Sequence, residues 1–127
     1  MRNLDKLNIW KKGLDVCEEI YEMSKNFPKE EKYGLTSQIR RAAVSIPSNI
    51  AEGAGRNSNK EFAQFLSISN GSCYEVQTQL ILAKKFNYVN ENEVKKALKN
   101  LDEIQKMNFG LQSHLKKTQS SALKTQN

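Results

Sequence analysis

Between Ala42 and Gly55 the chain reads Ala-Ala-Val-Ser-Ile-Pro-Ser-Asn-Ile-Ala-Glu-Gly-Ala-Gly, with one charged side chain, Glu52, in fourteen residues. A chain that is 27% charged would place about four there. At about 100° per residue in a helix, Ile39, Ala43, Ile46 and Ile50 share a narrow arc. Val44, Ser48, Ala51 and Glu52 lie on the opposite side and, Glu52 apart, are small or apolar. A helix without a polar face is covered on both sides. Either its own chain covers it well, or a second copy covers the outer side of a small bundle. The second reading predicts homo-oligomerisation through this helix, where small residues permit close approach.

The rest of the sequence supplies three more helices and nothing with the alternation of a strand. In the first, one row of apolar spacing runs Leu7, Trp10, Leu14, Cys17, Tyr21, Ser24, beside a second row of Ile9, Gly13, Val16, Ile20, Met23, Phe27. Two adjacent rows suit a bundle rather than a two-stranded coiled coil. Phe27-Pro28 ends it, since proline fits the first turn of a new helix, where Glu30 and Glu31 oppose the positive helix end. Pro47 is expected to kink or restart the second helix, because the bond to residue 43 is lost. Ser58-Asn59-Lys60-Glu61 is a capping box before a third helix striped by Phe62, Phe65, Leu66, Ser69, Cys73, Val76, Leu80 and Ala83. Asn90 and Glu93 cap a fourth, striped by Val94, Ala97, Leu101, Ile104, Asn108, Leu111 and Leu115. The expected fold is all-α: an antiparallel up-down-up-down four-helix bundle over residues 1–117, its second helix kinked near Pro47, with 118–127 a disordered tail lacking apolar period.

Composition narrows function by exclusion. There are 127 residues, with one His, two Cys and a mean hydropathy of −0.69. No Walker-type Gly-Lys-Ser/Thr, Gly-x-Gly-x-x-Gly or Cys-x-x-Cys occurs, and no apolar run or leader segment suggests a membrane. Cys17 and Cys73 sit among apolar neighbours, as small core residues do in a reducing compartment. The expectation is a cytoplasmic, non-enzymatic protein without metal or cofactor. Twenty Lys and Arg against fourteen Asp and Glu give +6, which favours an anionic partner.

Two carboxylates and several cations stand out. Glu75 lies among Ser72, Cys73, Val76 and Gln79, and Glu52 among Asn49, Ile50 and Ala51. A di-metal site would need Glu-x-x-His on two helices, and neither is present; the simpler reading is a polar network in which Ser45, Asn49, Ser69 and Ser72 hydrogen bond Glu52 and Glu75 and fix register. The basic groups are Arg40-Arg41, Arg56 with Lys60, Lys84-Lys85, Lys95-Lys96-Lys99 and Lys116-Lys117, and residues 104–127 contain no acid. Lysine pairs usually mark only solvated faces. Arg40 and Arg41 differ because they enter the least charged helix. They either pair with acids such as Glu52 or Glu75 or face a groove or pore shared between subunits. A ring multiplies modest charge: five copies of +6 carry about +30, a field that attracts nucleic acid without base contacts. Trp10, Tyr21, Tyr33 and Tyr74 fall mostly on apolar stripes, so base stacking is not expected.

The run Phe27-Pro28-Lys29-Glu30-Glu31, then Tyr33-Gly34-Leu35-Thr36-Ser37-Gln38-Ile39-Arg40-Arg41-Ala42-Ala43-Val44-Ser45-Ile46-Pro47-Ser48-Asn49-Ile50-Ala51-Glu52-Gly53, resembles the bacterial four-helix-bundle proteins encoded in 23S rRNA intervening sequences. Ser58-x-x-Glu61-Phe62, Phe65-Leu66 and Gly71-Ser72 with Glu75 fit the same pattern, and the likeness spans about residues 4–116. Cys73-Tyr74 and Val76-Gln77 depart from the family's usual small, aliphatic and acidic residues there. The resemblance implies a barrel-like homopentamer, and relatives include the accessory variability determinant of diversity-generating retroelements, which binds nucleic acid and a reverse transcriptase. By that likeness Arg40, Arg41 and Arg56, with Lys60, Lys84 and Lys85 added from the charge pattern, are nucleic-acid-binding candidates. Asn49, Glu52, Ser72 and Glu75, with Ser45, make the internal network. A protein-interaction scaffold or accessory subunit with no nucleic-acid contact is the alternative.

Overall fold

The computed structural model describes the backbone of residues 2–126 and the side chains of residues 2–118. Four helices account for nearly all of it: α1 (Asn8–Ser24), α2 (Leu35–Ala54), α3 (Asn59–Lys85) and α4 (Glu91–Gln126). Short 3₁₀ turns at Leu4–Lys6 and Lys29–Glu31 precede α1 and α2, and no strand occurs among the described residues. The backbone of α4 continues as helix past Lys117, where the apolar period stops, to Gln126. The side chains of residues 119–127, within the segment expected to be a disordered tail, lie outside the described residues.

The helix ends follow local chemistry. Ser58 Oγ accepts the Glu61 N–H at 3.1 Å, and Asn90 Oδ1 accepts the Glu93 N–H at 2.8 Å, so α3 and α4 each begin on a side-chain cap. Pro28 does not open α2 directly, as the sequence suggests, but a 3₁₀ turn in which Glu30 and Glu31 lie. The reason is Glu31, whose Oε1 accepts the Leu35 N–H at 3.2 Å and sets the start of α2 one turn later. Its other oxygen accepts the Tyr88 hydroxyl at 2.8 Å, tying α2 to the α3–α4 turn. That turn closes α3 with Asn87 at φ 63°, the Asn87 N–H on Lys84 O at 3.0 Å and the Tyr88 N–H on Ala83 O at 2.9 Å. This is a Schellman closure, in which asparagine tolerates the left-handed conformation.

Contacts between helices fix their directions. Cys17 meets Ala43 while Ser24, further along α1, meets Arg40. Gly53 lies against Phe62 and Phe65, while Ser45 meets Ser72. Rising number along one helix therefore meets falling number along the next. Val16, Ile20, Ile39, Ile46, Ile50, Phe62, Leu66, Val76, Leu80, Leu101 and Ile104 form one core to which all four helices contribute. Of the two rows in α1, the Ile9–Gly13–Val16–Ile20–Met23 row is buried, whereas Leu14 and Tyr21 in the other row are about two-fifths exposed. Two polar side chains that enter this core are paired: Ser69 Oγ donates to Ile46 O at 2.9 Å, and Asn108 Nδ2 to Leu66 O at 2.8 Å.

The α1–α2 seam shows how Pro47 is accommodated. α2 is unbroken from Leu35 to Ala54, so no restart occurs. Pro47 has no N–H for Ala43 O; Cys17 Sγ donates to that carbonyl instead, at 3.0 Å. Burial, with Glu18 adding to it, pushes the Cys17 thiol up to about 11, which keeps the donor proton in place. Burial likewise pushes Cys73 up to about 12.

Glycines set the spacing on both flanks of α2. A Cβ at Gly13 would lie 3.2 Å from Pro47 Cβ, and one at Gly53 would lie 2.7 Å from Phe65 Cβ and 3.1 Å from Phe62 O. At Gly71, in the middle of α3, a Cβ would meet nothing within 4 Å. Gly53→Ala therefore lowers stability by about 1–3 kcal/mol through overpacking, despite better helix propensity, while Gly71→Ala raises it by about 0.5–1 kcal/mol. Urea denaturation followed by circular dichroism measures both; the same sign for the two variants would refute this packing account.

Candidate nucleic-acid interface

The six basic residues singled out from the sequence do not form one patch. Arg40 turns back onto α1: its guanidinium lies 4.6 Å from the centroid of the Tyr21 ring, Nε donates to Ser24 Oγ at 2.7 Å, and Nη2 donates to Tyr21 O at 3.3 Å. It binds the last turn of α1, where a cation also opposes the negative helix end. Neither Glu52 nor Glu75 is its partner. Arg41 is exposed and borders a shallow concavity between α2 and α3 with Gln38, Ser45, Glu75 and Gln79.

Arg56 and Lys60 lie at the α2–α3 connection. Arg56 is held over the Phe65 ring at 4.7 Å and pairs with Glu52 at 3.2 Å. Lys84 and Lys85 close α3, about 36 Å from Lys60 along the helix axis. Lys84 pairs there with Glu91 at 3.4 Å, among the acids that start α4. Charge is therefore unevenly divided between the two ends of the bundle.

At the α2–α3 end another cation, Arg2, joins Arg56 and Lys60. Its guanidinium lies 4.8 Å from the Phe62 ring and donates to Ala54 O at 3.2 Å, Arg56 O at 2.6 Å and Asn59 Oδ1 at 2.8 Å. Arg2 thus caps the carbonyl end of α2. Next to it a groove of about 440 Å³ runs along the α3–α4 seam, lined by Lys60, Gln64, Ser67, Phe109, Gln112 and Lys116 among others, with no acid in its walls. Phe109 is 76% exposed. Its position could have been read from sequence, since it falls beside Asn108 and off the α4 stripe. Tyr33 and Tyr74 are likewise exposed, at 88% and 59%, rather than on buried stripes as expected.

The polar network is smaller than the sequence reading made it. Ser45 Oγ and Ser72 Oγ are 2.7 Å apart, and Asn49 Nδ2 donates to both Ser45 O and Ser45 Oγ at 2.8 Å. Glu52 is turned outward to Arg56, and Glu75 is exposed on the rim of the concavity. The carboxylates stand apart because hydroxyl and amide groups already satisfy one another, and a carboxylate facing solvent avoids desolvation. Among the described residues no three His, Cys, Asp or Glu side chains converge as metal ligands, and no helix is long and apolar enough to cross a membrane.

Arg40 and Arg41 thus differ in kind. Arg40→Ala removes a stack and two hydrogen bonds and lowers stability by about 1–3 kcal/mol, whereas Arg41→Ala changes it by less than about 0.5 kcal/mol. Equal losses in chemical denaturation would contradict the structural role given to Arg40.

Against known proteins the likeness is one of family and fold. No curated protein matches the sequence. A 1.70 Å crystal structure described as a protein with unknown function from the S23 ribosomal protein family of Bacteroides thetaiotaomicron VPI-5482 superposes with a TM-score of 0.73 at 22% identity, covering 82% of this chain and 97% of that one. At that identity the match speaks for the fold. Residues 5–110 match the profile described as 23S rRNA-intervening sequence protein, which takes in all of α1, α2 and α3 and more than half of α4, and so the chain belongs to the 23S rRNA-intervening sequence protein family.

Proposed function

We propose that this chain is a non-enzymatic, self-associating, cytoplasmic helical-bundle protein that binds nucleic acid at its α2–α3 end. The observation that carries the reading is the unequal distribution of charge: Lys60 and Lys116 line a groove without acids, close to Arg2 and Arg56. The net charge of +6 agrees with it. Phosphate contacts release counterions, so affinity for RNA or DNA is strongly salt dependent.

Self-association rests on the outer side of α2. Val44 is 42% exposed and Ser48 is exposed, so in one chain the helix keeps an uncovered small and apolar strip, flanked by the exposed Arg41 and Glu52. On α3 the apolar Ile68 is 52% exposed as well. A neighbouring copy would remove this area from water, at roughly 25 cal/mol per Å², and a heterologous contact repeated by rotation closes into a ring, a pentamer by family resemblance. Tyr74, Ile81, Leu82 and Phe86, also exposed on α3, favour a second reading in which the assembly docks a protein partner such as a reverse transcriptase. Partners that persist in a pull-down after nuclease treatment would support that scaffold reading.

Affinity for a generic RNA should fall more than about tenfold between ~50 and ~200 mM salt; salt-independent binding, or none at low salt, contradicts nucleic-acid binding. Val44→Arg should keep its helical circular dichroism and lose oligomer mass in light scattering. An unchanged oligomer would place the interface elsewhere, and a monomeric wild type at micromolar concentration would refute self-association.

A further inference from the structure

The α3–α4 groove pairs an open aromatic ring with two cations. Lys60 and Lys116 stand at one end and Phe109 and Ser67 at the other. From Lys116 to Phe109 is seven residues of α4, about 10 Å along the axis. Glu61, the acid of the first turn of α3, accepts the Ser58 hydroxyl at 3.2 Å and is not among the groove's lining residues. Gln112 is fixed in place, its Nε2 donating to the buried Asn108 Oδ1 at 2.5 Å and its Oε1 accepting from Ser67 at 3.3 Å. Asn108 in turn donates to Leu66 O. The groove floor is therefore hydrogen bonded to the core and held in one geometry, while Gln64 is exposed on its wall.

A buried Phe109 would need no explanation, but at 76% exposure the ring contributes little to the core. A π-face and two cations along one acid-free groove suit a nucleic-acid strand, whose bases stack on aromatic rings while its phosphates meet lysine. In a duplex the base faces are covered by their neighbours, so this use of Phe109 requires an unpaired strand. The groove volume of about 440 Å³ is of the size that holds small ligands and single nucleotide units.

We infer that the α3–α4 groove is a binding site for single-stranded nucleic acid, with a base stacked on Phe109 and backbone phosphates on Lys60 and Lys116. The inference rests on the proposed nucleic-acid binding and assigns it a strand type, a location and an aromatic contact. An acidic peptide would satisfy the lysines but would leave Phe109 without a stacking partner.

The test uses the full chain with a labelled oligouridylate and, separately, a labelled blunt-ended RNA duplex. Phe109→Ala should weaken oligouridylate binding by about 5- to 150-fold, the range of one base stack, with thermal stability and the salt slope unchanged. Phe109→Trp should restore affinity and Phe109→Leu should not. Lys60→Gln and Lys116→Gln should each reduce the salt slope on the single strand by about 0.7. If oligouridylate affinity survives Phe109→Ala, or Phe109→Leu binds as well as Phe109→Trp, the groove assignment fails while nucleic-acid binding elsewhere stands. Preference for the duplex, or displacement of oligouridylate by an oligoglutamate peptide at equal concentration, also overturns it. Absence of binding to both probes at low salt overturns the inference together with the reading it rests on.

Discussion

The close approach of α1 and α3 to the two flanks of α2 is the constraint on which the rest of the structure depends. On one flank Gly13 lets α1 come against the Pro47 ring, and on the other Gly53 lets α3 bring Phe62 and Phe65 against the α2 backbone. The proline would leave Ala43 O without its helical partner. Cys17 donates to it from the same seam, so the helix passes through Pro47 without an unpaired carbonyl. A neutral thiol is the right group for this position: it is small, tolerates burial and can donate. Its raised pKa follows from burial and from Glu18 nearby. Because the thiol proton is also the hydrogen-bond proton, packing and titration state at this seam are linked.

With both flanks engaged and Ile39, Ala43, Ile46 and Ile50 buried in the core, only the outer side of α2 remains. That side carries Arg41, Val44, Ser48 and Glu52. The same placement separates the arginines: Arg40 faces α1 and is consumed by Ser24 and Tyr21, while Arg41, one residue on, faces out. Charge follows the topology in a similar way. The acids of the Lys29–Glu31 turn and of the start of α4 collect at one end of the bundle. The acid-free segment after Ile104 brings Lys116 beside Lys60 at the other.

Periodicity made much of the fold legible before any coordinates. The α3 and α4 stripes, the Ser58 and Asn90 caps and the buried Asn108 are local or one-dimensional signals, readable because a helix maps sequence onto faces at fixed angles. Partners contributed by another helix were not legible. Nothing in the local sequence tells that Arg40 reaches Ser24, that Cys17 serves the carbonyl released by Pro47, or that Glu31 caps α2. The polar network was overdrawn for the same reason. Glu52 follows Asn49 and Glu75 follows Ser72 by one helical turn, yet their side chains leave the seam for solvent and for Arg56. Arg2 stands alone near the start of the chain, and Phe109, although off the α4 stripe, has no partner in the local sequence to mark it. Their significance arises only when α2, α3 and α4 meet at one end.

On the proposed function this acid-poor end, and not the lysines at the other end of α3, receives the anionic partner. Hydrogen–deuterium exchange of the full chain with and without a single-stranded oligonucleotide tests it most directly. Slowed exchange is expected in peptides covering the first turns of α3 and residues 106–118 of α4, with peptides around Lys84, Lys85, Lys95 and Lys96 unchanged. Protection centred on the α3–α4 turn, with none near Lys60 and Phe109, would contradict it.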